Sequence, residues 1–245
     1  MSETHLADLK FRLMTINLLK TAKKQLTYRE LSAQTGLPVT VLSRYVKGHV
    51  LPSSNRAKKI WKTMESLSGL EDELRRRIRF NDLGYFDNTS IVLDTALLQQ
   101  AVQHAFSRFA GRRITKILTA AVDGIPLSTL MSDALSVDLV VAKKTKEVGI
   151  RDFVEETFIP GNSDMVMSLY IPRGAIKRGD SVLVVDDIMK TGETQRTMIN
   201  LINKVRADVA GVYVLISIGD QWKDKMRGSS ECPLEIVLRI SRKRK

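Results

Sequence analysis

The chain has 245 residues, 43% of them hydrophobic. That is enough for one large domain or a small one beside a medium one, and no run of about 18 apolar residues suggests a membrane span. Its one cysteine, Cys232, excludes an internal disulfide, and its three histidines, His5, His49 and His104, are too far apart for a recognisable zinc spacing. The net charge of +12 is uneven: residues 1–80 hold 16 Lys and Arg against 7 Asp and Glu, residues 81–241 hold 19 against 20, and residues 242–245 add four positive charges. This footprint suits a domain that meets a polyanion, joined to one that need not.

The first residues, MSETHLADLKFRLM, contain neither an apolar signal core nor a small-residue cleavage site, so a reducing cytoplasm is the expected location. Residues 6–24 read as an amphipathic helix, with Leu6, Leu9, Leu13 and Ile16 near one stripe and Leu18 and Leu19 widening it. Thr27 and Glu30 form a capping box that starts a short helix, and Gly36 stops it. Pro38 suits the first turn of another helix, whose C-terminal cap is Gly48. Residues 53–68 read as a further helix, with Ile60, Trp61, Met64 and Leu67 at core spacing.

Residues 69–90 read as a connection between domains, despite the charged helical piece EDELRRRIRF. A helix runs from Asp94 to Gly111, after which strands and helices alternate. Residues 114–122, 137–144, 181–188, 210–219 and 234–240 read as strands, and residues 125–135 and 194–206 as helices. Such alternation implies an α/β fold: a doubly wound, mostly parallel sheet with helices on both faces. The expected organisation is an all-α domain over 1–68, a linker over 69–90 and the α/β domain over 91–245.

Two short helices around a tight glycine turn make a helix-turn-helix, whose second helix lies in the DNA major groove. With Val41, Leu42 and Tyr45 inward, Val39, Thr40, Ser43, Arg44 and Lys47 face outward. Thr40, Ser43 and Arg44 suit base edges, whereas Lys47, Arg56, Lys58 and Lys59 suit phosphates. The segment YRELSAQTGLPVTVLSRYVKG resembles the helix-turn-helix of the phage-repressor (Cro-like) family. That resemblance implies double-stranded DNA as a partner.

The segment SVLVVDDIMKTGETQRTMINLI, residues 181–202, reads as a strand, a loop and a helix start. At the carboxyl edge of a parallel sheet, this is where ligands bind. The backbone N–H groups of Lys190 to Thr194 can surround an anion, favoured by the helix dipole. Asp186 and Asp187 are acceptors suited to two vicinal hydroxyls, and together these features describe a ribose 5-phosphate site. The segment resembles the signature of type I phosphoribosyltransferases, which bind phosphoribosyl pyrophosphate. The resemblance implies that Asp186 and Asp187 hold the ribose hydroxyls and that Lys190, Thr191, Gly192, Glu193 and Thr194 hold the 5-phosphate. It also implies a pyrophosphate loop with Asp123 and Gly124 at its tip. Lys143 and Lys146 match the lysine-bearing region of orotate phosphoribosyltransferases, and 147–170 would be a mobile flap without helix or strand period.

The departures from that family weaken catalysis. Orotate enzymes carry Arg, His and Lys where this chain has Ala142, Val148 and Asp123, and 6-oxopurine enzymes carry an acid where it has Lys190. Each contact to a developing charge is typically worth about 2.7–4 kcal/mol, so the site binds a phosphoribosyl ligand without the groups that turn it over. The two halves together resemble archaeal orotate phosphoribosyltransferase-like transcriptional regulators, and bacterial purine repressors join a winged helix to the same domain. The expectation is a homodimeric DNA-binding regulator on a palindromic operator, not an enzyme. Its effector is phosphoribosyl pyrophosphate or a nucleoside monophosphate. No cofactor is required beyond a magnesium ion accompanying the pyrophosphate. An active phosphoribosyltransferase with a DNA-binding appendage is the alternative. An RNA-binding attenuator would need a basic groove on a domain whose residues 81–241 carry a net charge of −1.

Overall fold

A computed structural model describes residues 2–67, 69–82, 84–109, 111–160, 165–227 and 232–241. Four helices open the chain: α1 Ser2–Gln25, α2 Tyr28–Thr35, α3 Val39–Val46 and α4 Ser54–Leu67. The capping box forms as its spacing predicts: Thr27 Oγ1 accepts from the Glu30 N–H at 3.2 Å, and Glu30 Oε2 accepts from the Thr27 N–H at 2.7 Å. Gly36 closes α2 at φ +68, a left-handed conformation that glycine adopts without steric cost.

The first helix packs on two sides. Ile16, Leu18 and Leu19 are buried with Leu31, Leu42, Tyr45, Ile60 and Met64 from the next three helices. Its other flank meets the α/β unit: Lys10 Nζ donates to the Asp133 carbonyl at 2.8 Å, and Asn17 Nδ2 to Gln99 Oε1 at 3.1 Å. The expected apolar stripe is therefore corrected. Leu13 is 47% exposed, because the burial that decides the helix's orientation is split between two neighbours.

The stretch 69–90, expected as a connection, is structured. It forms α5 Leu70–Arg77, the short hairpin β1 Arg79–Phe80 and β2 Phe86–Asp87, and the start of α6 Thr89–Val92. Leu70 and Leu74 are buried in the same core as α7 Thr95–Arg108, so α5 packs onto the α/β unit. Arg77 Nη2 bonds Asp94 Oδ2 at 2.9 Å and also pairs with Glu73, tying the end of α5 to the start of α7.

The remaining elements are β3 Lys116–Ala120, α8 Ile125–Leu135, β4 Asp138–Ala142, β5 Phe153–Phe158, β6 Met167–Pro172, β7 Ser181–Met189, α9 Glu193–Lys204, β8 Asp208–Ile218, α10 Trp222–Met226 and β9 Leu234–Ile240. Five strands form one wholly parallel sheet in the order β4-β3-β7-β8-β9. Alternation along β7 splits the core: Val182 and Val184 face α9, whereas Leu183 and Val185 face α7 and α8. A central strand with both faces covered has to be apolar throughout, which explains the run VLVV.

Two further sequence expectations are corrected. The flap over 147–170 contains an antiparallel hairpin, β5 paired with β6 from Phe153↔Pro172 to Phe158↔Met167. Strand β5 lacks alternation because it is half-buried nearly throughout, but β6 alternates, burying Leu169 and Ile171 between more open neighbours. Helix α10, not anticipated, buries Trp222 and Met226. Residues 161–164 of that flap and the basic tail 242–245 lie outside the described residues. Among the described residues no helix is long and apolar enough to cross a membrane.

Because Leu19 is fully buried at the centre of the helical cluster, Leu19→Ala is expected to cost about 2–5 kcal/mol. Urea unfolding checks this. A loss under about 1 kcal/mol would contradict the packing of α1.

Candidate functional site

The central strand β7 carries its apolar run to Val185 and then places two carboxylates at its carboxyl end. Asp186 is 6% exposed and Asp187 7%. Each meets an amide: Gln195 Nε2 donates to Asp186 Oδ2 at 2.6 Å, and Asn88 Nδ2 to Asp187 Oδ2 at 2.7 Å. Burial holds the Asp186 carboxyl well above the usual carboxylate range, and the neighbouring Asp187 charge raises it further. Asp187 is raised as well, chiefly by burial; the Asn88 hydrogen bond opposes this and the Asp123 charge adds to it. Two adjacent, desolvated carboxylates favour a ligand that brings hydrogen-bond donors or positive charge.

The loop after β7 has the geometry of an anion cradle. Gly192 sits at φ +80 as the N-terminal cap of α9. A Cβ there would lie 3.2–3.3 Å from Trp222 atoms, so both conformation and space require glycine. Lys190 is exposed, and Thr191 Oγ1 donates to Glu193 Oε2 at 3.0 Å. The first N–H groups of α9, those of Glu193 and Thr194 among them, have no intrahelical acceptor and carry the positive end of the helix dipole. Met198, Leu201 and Ile202 are buried and seat this helix against the sheet.

The turn between β3 and α8 closes the other side. Gly124 lies so near β7 that a Cβ would stand 2.8 Å from Asp186 Oδ1 and 2.4 Å from Thr119 Oγ1. The exposed Asp123 accepts from Asn88 Nδ2 at 3.2 Å, so one amide spans Asp123 and Asp187. The structure thus gathers Asp123, Gly124, Asp186, Asp187 and the loop Lys190 to Thr194 at one sheet edge. The other two expected ligand residues face elsewhere. The Lys143 ammonium is paired with Glu147, and Lys146 lies 3.3 Å from Glu155 Oε2 and over the Tyr170 ring. Both lysines are engaged with the hairpin and its approach. Among the described residues no group of three or more His, Cys, Asp or Glu is placed to hold a metal ion.

At the helical end, α3 buries Leu42 and Tyr45 and half-buries Val41. Val39, Thr40, Arg44 and Lys47 are exposed and Ser43 is half-buried. Arg56, Lys58 and Lys59 are exposed on α4, where Arg56 Nη1 donates to the Tyr45 hydroxyl at 3.3 Å.

A model of the phosphoribosyl transferase domain matches residues 89–241. The chain belongs to the phosphoribosyl transferase domain family. Within it, the chain is 33% identical over 133 residues to the purine biosynthesis transcriptional repressor PurR of Bacillus subtilis, covering 54% of this chain and 47% of that protein. It is 25% identical over 162 residues to a probable PurR of Streptococcus pneumoniae, covering 66% of this chain and 59% of that one. The chain therefore spans about half the length of the curated regulators it matches. Xanthine phosphoribosyltransferase of Ectopseudomonas mendocina is 27% identical over 151 residues, covering 61% of this chain and 79% of the enzyme. Among solved structures, adenine phosphoribosyltransferase of Trypanosoma brucei superposes with a TM-score of 0.63 at 14% identity, covering 69% of this chain and 79% of that one. At that identity it shows the fold alone.

Two residues of this phosphoribosyl transferase-like site escape sequence reasoning. Gln195 sits in the first turn of α9 at a position that reads as ordinary helix surface, and Asn88 precedes the matched segment within an apparent linker.

Because burial raises the folded-state pKa of Asp186 above its ordinary value, the folded chain binds a proton between those two values that the unfolded chain has released. Its stability therefore falls as pH rises from the ordinary carboxylate range through the raised value. Asp186→Asn is expected to raise the melting temperature at neutral pH, by about 2–4 °C per kcal/mol of strain relieved, and to flatten that decline. Calorimetric scans from mildly acidic to neutral pH measure this. An unchanged or lowered melting temperature would refute the buried-charge account.

Proposed function

We propose that this protein is a DNA-binding transcriptional regulator and that its phosphoribosyl transferase-like domain binds phosphoribosyl pyrophosphate or a related nucleotide as effector. In this reading α2 and α3 are a helix-turn-helix, and α3 enters the major groove. The observation that carries it is the exposure of Thr40, Arg44 and Lys47 on α3, opposite the buried Leu42 and Tyr45, in a chain that also keeps the carboxylate pair and anion loop. Arg44, Lys47, Lys58 and Lys59 form no ion pair among the described residues, which leaves them available to phosphates and base edges. The likeness to two purine regulators supports the same reading and favours purine over orotate metabolism.

The ligand's ribose hydroxyls bond Asp186 and Asp187, and its 5-phosphate takes the N–H groups of Lys190 to Thr194. A pyrophosphate lies toward Asp123 and Gly124, with a magnesium ion that accompanies the ligand. The positions that meet the leaving group argue for sensing over turnover. Asp123 adds negative charge there, Ala142 is buried, and Val148 is fully exposed and apolar. A homodimer presents two copies of α3 to a palindromic operator, with half-site centres roughly 34 Å apart or a multiple of that.

One observation favours a second reading, an active purine-type phosphoribosyltransferase with a DNA-binding appendage: the match to 79% of a xanthine phosphoribosyltransferase. Incubation with phosphoribosyl pyrophosphate, magnesium and each of xanthine, guanine, adenine and orotate separates the two. The regulator releases no pyrophosphate above background. Steady, base-dependent release establishes the enzyme.

Arg44→Ala is expected to weaken operator binding by about 1–3 kcal/mol and to relax preference at one base pair, with ligand affinity unchanged. Electrophoretic mobility shifts on DNA selected from a genomic library measure it. Unaltered operator affinity would sink the assignment of α3.

A further inference from the structure

Asn88 stands between β2 and α6, outside every segment that builds the phosphoribosyl site in sequence. Its backbone is anchored, since its carbonyl accepts the N–H groups of Ile91 and Val92 at 2.9 and 3.0 Å and so caps α6. Its side chain reaches into the site. One Nδ2 atom donates to Asp187 Oδ2 at 2.7 Å and to Asp123 Oδ2 at 3.2 Å. An amide nitrogen has two N–H donors, and here both go to carboxylates, one at the end of β7 and one in the turn after β3. A sugar hydroxyl offers the same chemistry to Asp187 that this amide does. The two cannot occupy one acceptor lobe together.

We propose that Asn88 is the chain's own stand-in for a ribose hydroxyl: it occupies the acidic pair without ligand, and an incoming phosphoribosyl group displaces it. The proposal rests on the reading of Asp186 and Asp187 as the ribose site. Displacement has a consequence for the other end of the chain. Ser90 Oγ, two residues on, donates to the Arg77 carbonyl at 3.4 Å, and Arg77 is bonded to both Glu73 and Asp94. These contacts join α6 to α5, which follows α4 of the helical layer. The loss of the Asn88 bonds releases the α5–α6 corner, which the chain joins directly to α4 of the helical layer. Asn88 thereby both lowers effector affinity and couples effector binding to the helical layer.

The test uses the full chain, with calorimetric titration of phosphoribosyl pyrophosphate with magnesium and of ribose 5-phosphate alone. Asn88→Ala and Asn88→Leu have no side-chain donor. Each should bind both ligands about tenfold more tightly, the scale of a hydrogen bond to a charged acceptor. Each should also bind operator DNA with an affinity that no longer changes on adding ligand. A purely structural role for Asn88 would lower the melting temperature without tightening either ligand. Unchanged or weakened affinity in both variants overturns the proposal, because it means that Asn88 is either remote from the ligand or holds it directly. Asp187→Asn separates this from failure of the site itself. If wild type binds neither ligand, or Asp187→Asn binds as well as wild type, the ribose-site reading falls and the inference with it. If wild type binds and Asp187→Asn does not, the Asn88 result decides the inference alone.

Discussion

Two adjacent carboxylates buried at the end of a central strand are the constraint around which this fold is arranged. Neither can be solvated, and each faces an amide, Gln195 or Asn88. The strand that carries them is apolar up to Val185 because both its faces are covered. The turn after β3 must be glycine at position 124, since any side chain would collide with Asp186. The loop after β7 favours glycine at 192, where a left-handed backbone strains other residues and Trp222 crowds any Cβ. An isolated domain gains no stability from such a pair, because buried charge costs folding energy. That cost is one physical ground for the ligand site proposed above.

The sequence showed the parts of the α/β unit whose pattern is dictated locally. The strand through Asp187, the helix 125–135 and the strand 234–240 all lie where periodicity places them, because a strand covered on both faces needs continuous apolar residues. It misled where burial is shared or partial. Leu13 falls on the apolar stripe of α1, yet it is exposed, because Ile16, Leu18 and Leu19 take the helical core. Leu70 and Leu74, spaced one helical turn apart, carried a legible signal that their charged neighbours obscured. In the hairpin β5–β6, strand β5 has no alternation to read because it is half-buried nearly throughout, whereas β6 alternates, with Leu169 and Ile171 buried against the sheet. Asn88 and Gln195 were illegible for a different reason: a single amide has no period, and its role exists only once the chain brings distant segments together.

Helix α1 is the physical bridge between the two halves. One side of it completes the helical cluster through Ile16, Leu18 and Leu19; the other grips α7 and α8 through Lys10 and Asn17. A second connection runs through α5, whose leucines belong to the sheet's core. Communication between a ligand site and a DNA-reading helix requires two arrangements of such a junction, with the ligand favouring one. At this junction the polar contacts of Lys10 and Asn17 lie beside Met14, which packs against the sheet-side core. The family match fixes the fold of residues 89–241, whereas function is argued from the side chains at the sheet edge and from what is attached to the domain.

The central claim is that a phosphoribosyl ligand in the acidic pocket changes how tightly the helical layer holds DNA. Titrating phosphoribosyl pyrophosphate, with magnesium, into the full chain on its operator and following DNA affinity by fluorescence anisotropy tests this most directly. The account predicts a saturable change of about fivefold or more, mirrored by an equal change in ligand affinity when DNA is added. Operator affinity that stays constant through ligand saturation would contradict it.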